Sequence, residues 1–224
     1  MKTMYTALCA AALLSTSAHA ANVSVDNSSG AWLGFMNVFE LPANGGGFVF
    51  GSGWGIGDLV SEFDDGAGTL TMSPNTIGDP DPFWYQGGGA PGAAGNKIME
   101  ANLFLQVDDD SLAGQTVTFE GMIDSNSFTA AHESFIFIRD FAPDFSSFNE
   151  TIVAASAGAF SISLDTDAGL GRHVQYGFQV KGENVWVTDT APFGNMVIST
   201  VPTPASMALL GMGGMMMARR RRNA

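Results

Sequence analysis

From His173 to Gly182 the chain reads HVQYGFQVKG. Val174, Tyr176, Phe178 and Val180 occupy every second position, and His173, Gln175, Gln179 and Lys181 fall between them. Successive side chains of an extended strand point to opposite faces, so this period of two predicts a strand with one apolar and one polar side. A helix would need apolar positions every three or four residues. The alternation returns in QTVTFEGMI, where Val117 and Phe119 oppose Thr116, Thr118 and Glu120. It returns again in AFSISLD, where Phe160, Ile162 and Leu164 oppose Ser161, Ser163 and Asp165. ESFIFIRDF, Glu133 to Phe141, is apolar on both sides at its centre and predicts a central strand covered on both faces. Further strands are predicted over Trp32 to Phe39, Phe48 to Phe50, Leu59 to Phe63, Thr69 to Met72, Ile98 to Val107 and Met196 to Thr200. The connections are rich in Gly, Asp, Asn, Pro and Ser, the residues of turns.

Many short strands joined by turns predict an all-β fold, an antiparallel β-sandwich of jelly-roll type. A parallel β-helix would require a fixed-period repeat, and the sequence contains none. The predicted domain runs over residues 21–200, with a different kind of segment at each end.

Residues 1–20 predict a secretory signal peptide. Lys2 supplies a positive start, ALCAAALL an apolar stretch, and Ala18 and Ala20 the small residues before a cleavage site at Ala21. Export machinery and signal peptidase are the partners this predicts. Cleavage there discards Cys9, the only cysteine, and leaves a body that no disulfide can stabilise. All 22 acidic residues but only Lys97, Arg139, Arg172 and Lys181 of the nine cations lie in the body, whose formal charge is 4 − 22 = −18. Such a surface repels phosphate backbones, so nucleic acid is excluded as a partner.

Residues 201–224 read VPTPASMALLGMGGMMMARRRRNA. The uncharged run from Ala205 to Ala218 spans ~21 Å as a helix, short of a ~30 Å hydrocarbon core. The following arginines favour retention on the cytoplasmic side, so the run predicts a short transmembrane anchor. Val201, Pro202, Thr203, Pro204, Ala205 and Ser206, then an apolar helix, then Arg219, Arg220, Arg221 and Arg222, resemble the PEP-CTERM sorting signal of Gram-negative bacteria. Thr203 stands where that motif usually has glutamate. The resemblance implies transient anchoring in the inner membrane and recognition by exosortase, an integral-membrane sorting protease. The destination it implies is the outer surface or the extracellular matrix. The body, through GQTVTFEGMIDSNSFTAAHESFIFIRDF and then HVQYGFQVKG, is similar in strand texture to carbohydrate-binding jelly-roll modules.

Two kinds of site suggest themselves. GDPDPFWYQGGGAPGAAGNK, Gly78 to Lys97, is the least regular stretch. Sugar rings stack their C–H faces on aromatic rings while polar neighbours bond the hydroxyls, and Trp84, Tyr85, Asp79, Asp81 and Gln86 have that composition. The same aromatics would equally serve as pins holding a long loop against the sandwich; Trp54 and Trp186 invite the same two readings. The second kind is a structural Ca²⁺, which takes six to eight oxygen ligands. Asp64 and Asp65, Asp108 to Asp110, and Asp165 and Asp167 are the candidate ligands, or else the residues of solvated turns.

Catalytic motifs are missing: His132 and His173 have no metal-binding spacing, and no G-x-S-x-G occurs. The expected function is therefore non-enzymatic: an exported surface or matrix protein that binds extracellular polysaccharide. A polysaccharide-active hydrolase or lyase using paired carboxylates is the alternative of another class, and a purely structural coat protein the third.

Overall fold

The computed structural model describes residues 20–200, and they form two packed six-stranded sheets. The strands in chain order are β1 (Ala20–Ser24), β2 (Leu33–Glu40), β3 (Phe48–Trp54), β4 (Ser61–Asp64), β5 (Thr69–Met72) and β6 (Lys97–Val107). They continue with β7 (Thr116–Asn126), β8 (His132–Phe141), β9 (Phe148–Ala154), β10 (Gly158–Asp165), β11 (His173–Glu183) and β12 (Met196–Ser199). The front sheet has the order β3-β2-β6-β11-β8-β9, antiparallel throughout. In the back sheet β10 lies on one edge of β7, opposite Thr116 to Ile123. β1 and β12 share the other edge end to end, β1 along Thr116 to Glu120 and β12 along Ile123 to Asn126. β5 and β4 follow β12 outward.

The alternation explains the packing. Met36, Val38, Met99, Ala101, Leu103, Ile136, Ile138, Val174, Phe178 and Val180 of the front sheet turn inward. Val117, Phe119, Ile123, Leu70, Met72, Met196 and Ile198 of the back sheet meet them. Phe119 is the aromatic centre, with ring centroids 5.2 Å from Tyr176, 5.6 Å from Phe178 and 5.1 Å from Phe160. Apolar side chains this thoroughly removed from water are the main favourable term in the fold.

Three differences from the sequence reading have physical causes. β1 pairs with β7 in parallel, so the sandwich is not wholly antiparallel. The chain passes through the front sheet between these two strands, which supplies the long crossover a parallel pair needs. The predicted central strand is β8, one place in from the front sheet's edge, with β9 outside it. Phe137 on its outer face is nevertheless fully buried, under the Arg139 guanidinium 3.9 Å from the ring centroid. The strand expected from Leu59 begins at Ser61, because Leu59 closes a one-turn 3₁₀ segment and Val60 turns the chain at φ 53°. The signal peptide and the sorting tail lie outside the described residues, apart from Ala20, which opens β1. Among the described residues no helix is long and apolar enough to cross a membrane.

Candidate functional site

The aromatic loop is fastened inward. Tyr85 is fully buried; its hydroxyl lies 2.6 Å from the Ile77 carbonyl and 3.0 Å from that of Val185, and accepts from Ile77 N at 3.2 Å. Burial pushes its phenol pKa up. Trp186 meets Tyr85 edge to face at 5.3 Å. Trp84 is half-buried and packs edge-on against Phe83 at 4.7 Å and Phe50 at 6.2 Å. Asp79 accepts Asp81 N, Asp81 accepts Phe83 N, and Gln86 donates to the Gly95 carbonyl. Asn184 holds the loop's base: its Oδ1 accepts Asn96 N and Lys97 N, both at 3.1 Å, and its Nδ2 donates to Trp84 O at 2.9 Å. These polar groups are occupied by the loop itself. Beside the loop, Trp54, Asp58, Thr76, Ile77 and Asp79 line a shallow cavity of about 590 Å³.

The acidic clusters are likewise engaged locally. Asp64 accepts Ala67 N, and Asp65 is bonded by the backbone and hydroxyl of Ser28, which hold its pKa down. Asp108 meets Gln106 Nε2 at 2.9 Å and His173 Nδ1 at 2.6 Å. Asp110 accepts Gly171 N and Arg172 N, and Asp165 accepts the Thr116 hydroxyl. Asp167 meets Asn149 and Arg172, whose guanidinium also grips the fully buried Asp140. All three predicted clusters are thus engaged by turns, hydroxyls, amides or single cations. Among the described residues no group of three or more His, Cys, Asp or Glu side chains is arranged to hold a metal.

The outer face of the front sheet holds the arrangement that the sequence reading missed. Register places Phe35, Asn102, Gln179 and Phe135 in one row across β2, β6, β11 and β8. The next row along the strands holds Phe104, Gly177, Phe137 and Ile152, and the one beyond it Gln106, Gln175, Arg139 and Glu150. On the other side of the first row lie Asn37, Glu100, Lys181 and Glu133. Asn102 and Gln179 are only 1% and 4% exposed although no third layer lies over them among the described residues. In the adjoining row Gly177 lies between Phe104 and Phe137, where a Cβ would run into the backbone of Leu103 and Phe104 of β6.

This row is a connected polar network. The Asn102 oxygen accepts from Arg139 Nη1 at 2.8 Å and from Gln179 Nε2 at 2.9 Å, while Arg139 Nε donates to Glu150 at 2.6 Å. The Asn102 amide donates to Phe35 O and Glu100 O, which saturates it. Gln175 donates to Gln106 at 2.7 Å, and Gln106 to Asp108. Buried networks satisfied in this way are rigid. Left without partners among the described residues are Arg139 Nη2 and the side-chain oxygens of Gln175 and Gln179, and none of the three is a buried orphan. They reach the surface as fixed donors and acceptors. Lys181–Glu100 at 3.4 Å and Arg139–Glu150 neutralise both cations of the face, and the exposed Glu133 leaves it slightly negative. The signal in the sequence was the choice of Gln over Lys, Glu or Thr on the polar side of β11.

A comparison of the chain with protein-family models, with curated proteins and with solved structures finds no match.

Proposed function

We propose that the chain is an exported, non-enzymatic β-sandwich that binds polysaccharide at the cell surface or in the surrounding matrix. In this reading it reaches that place through the signal peptide and the PEP-CTERM-like tail. The observation that carries the binding part is the outer face of the front sheet: fixed amide and guanidinium groups flanked in the same row by the rings of Phe35 and Phe135, which reach the surface. Sugars need both at once, because each ring presents hydroxyls at its rim and C–H groups on its faces. Preorganised groups lose little freedom on binding, which is where a strongly hydrated ligand gains affinity. The strands from β6 onward alternate largely between the two sheets, which supports assigning the sandwich to the jelly-roll type.

The test is retention of the purified full-length protein on a panel of immobilised polysaccharides. The wild type is expected to be retained by at least one polymer. The double variant Gln175→Ala/Gln179→Ala, with its circular dichroism unchanged, is expected to bind at least about tenfold more weakly. No retention of the wild type on any polymer, or full retention of the double variant, overturns the proposal.

A further inference from the structure

At one end of that face the chain accepts a strained backbone in order to expose a ring. Phe145 sits in the six-residue turn between β8 and β9 at φ 57°, a conformation that bulky side chains avoid and glycine adopts freely. It is also 51% exposed, so no core contact of its own accounts for the choice. The turn is closely specified: Phe145 N donates to Ala142 O, Ala142 N to Ser147 O, and Asp144 accepts the backbone and hydroxyl of Ser146. One face of the Phe145 ring lies on the His173 imidazole, with centroids 4.1 Å apart and planes 12° from parallel. His173 is itself fixed, by Asp108 at 2.6 Å on Nδ1 and the Pro143 carbonyl at 3.3 Å on Nε2. About half of Phe145 nevertheless stays in contact with solvent. Phe141 and the half-exposed Phe148 continue the apolar surface, at 5.5 Å and 4.9 Å along the chain of rings.

Strain of this kind, in a segment held by its surroundings, marks places where function outweighs stability. Register makes the shelf continuous with the polar network, because His173 pairs with Phe141 one row beyond Gln175 and Arg139. From His173 to Lys181 the surface runs eight residues along β11, about 27 Å at strand rise, enough for several consecutive sugar rings.

We infer that Phe145, backed by His173, is the stacking platform for a pyranose ring at one end of this surface, and that the ligand is an uncharged polysaccharide chain. This rests on the polysaccharide-binding reading above and adds the subsite and the ligand's charge. The charge follows from the surroundings. Asp108, Asp109, Asp110, Asp144 and Asp167 lie in the turns at this end of the sandwich, and on the rest of the surface Arg139 and Lys181 are each paired with a glutamate while Glu133 adds a further negative charge. An acidic polymer would be repelled there, and a bilayer would have to desolvate those carboxylates to receive the ring.

The decisive variant is Phe145→Gly in the full-length protein, because it separates fold from function. Glycine relieves the strained φ, so the variant is expected to melt at the wild-type temperature or above it. Its affinity for whichever neutral polymer the wild type binds, among mixed-linkage β-glucan, xylan and galactomannan, is expected to fall about tenfold. Phe145→Tyr, which keeps a ring, is expected to retain binding. Undiminished binding by Phe145→Gly overturns the platform while leaving polysaccharide binding intact, provided that Gln175→Ala/Gln179→Ala still loses it. Absence of binding by every variant, wild type included, overturns both. Stronger binding to alginate than to neutral polymers overturns the assigned ligand charge, and Phe145-dependent binding to phosphatidylcholine vesicles in place of polymer overturns the ligand class.

Discussion

At the residue scale, His132 is held away from its ordinary chemistry by burial. It opens β8 with its ring over Gly182, between Phe128 at 6.1 Å and Phe193 at 5.1 Å, and it is almost wholly buried. Its Nε2 lies 3.0 Å from the Glu183 carbonyl, an acceptor, so Nε2 carries the proton and Nδ1 is a buried lone pair without a partner among the described residues. Burial lowers the pKa, since a charged imidazole there would lose its hydration. The unfolded chain still takes up a proton near ~6.5, as free histidine does. Above that pH both states are neutral and stability is whole. As pH falls below it the unfolded state holds more protons than the native one, so stability drains away until the native pKa is reached. Glu183 works in the opposite sense, because burial raises its pKa and the folded state takes up a proton first as pH falls. The cavity of about 430 Å³ that both residues line is also lined by Asp189, and Glu133 lines a second cavity that His132 borders. The difference between wild type and His132→Gln isolates the imidazole. Thermal melts from pH 7.5 to 5.5 are expected to fall more steeply for the wild type; parallel curves would show that burial does not govern this histidine.

At the scale of elements, Asn184 decides whether the loop from Gly78 to Asn96 behaves as part of the sandwich. It follows β11 directly and spends all three side-chain bonds on the loop's last residues and on Trp84. Gly95 allows the contact, since a Cβ there would collide with Asn184. Asn184→Ala leaves the Lys97 N–H to find another acceptor and leaves Asn96 N and Trp84 O with only each other, at 2.8 Å, at a cost of about 1–3 kcal/mol. Amide hydrogen exchange is expected to speed up within the loop while β6 and β11 keep their protection; uniform loss of protection would mean that the loop and the sheets unfold as one unit. The loop also shows what could be read in advance. Its aromatics were legible as a cluster, but a ring that pins a loop and a ring that meets a ligand have the same composition; only the burial of Tyr85 separates them. Strands β7, β10 and β11 were legible because one face of each is dry. β9, with nearly every residue exposed, carries no such contrast, and β1 alternates over only five residues, two of them alanine. The front-face network was hidden for another reason: Asn102, Arg139 and Gln179 lie on three strands, and their meeting is a matter of register, which no single segment encodes. Phe145 was hidden because nothing in APDFSS marks its φ as positive.

At the scale of the whole molecule, charge is unevenly divided. The four cations of the body, Lys97, Arg139, Arg172 and Lys181, lie on the front sheet or in the turn leading into β11, each paired with a carboxylate. The outer face of the back sheet has none, and it exposes Glu62, Asp64, Glu120, Asp124 and Asp165 among serine and threonine hydroxyls. The body therefore folds against its own repulsion, concentrated on one side. Screening reaches ~10 Å at 0.1 M salt and ~3 Å at 1 M, so added salt relieves repulsion between exposed carboxylates more than it weakens the partly buried pairs of the front sheet. The melting temperature is expected to rise with NaCl, by on the order of a few degrees. The same experiment with CaCl₂ at matched ionic strength distinguishes screening from a bound ion. Because each of Asp64, Asp65, Asp108, Asp110, Asp165 and Asp167 already serves a turn, a hydroxyl, an amide or an arginine, the two salts are expected to give coincident curves. A calcium curve that rises well above the sodium curve and saturates at low concentration would mean that these carboxylates exchange their present partners for an ion, and the charge of the back face would then have a second role besides repulsion.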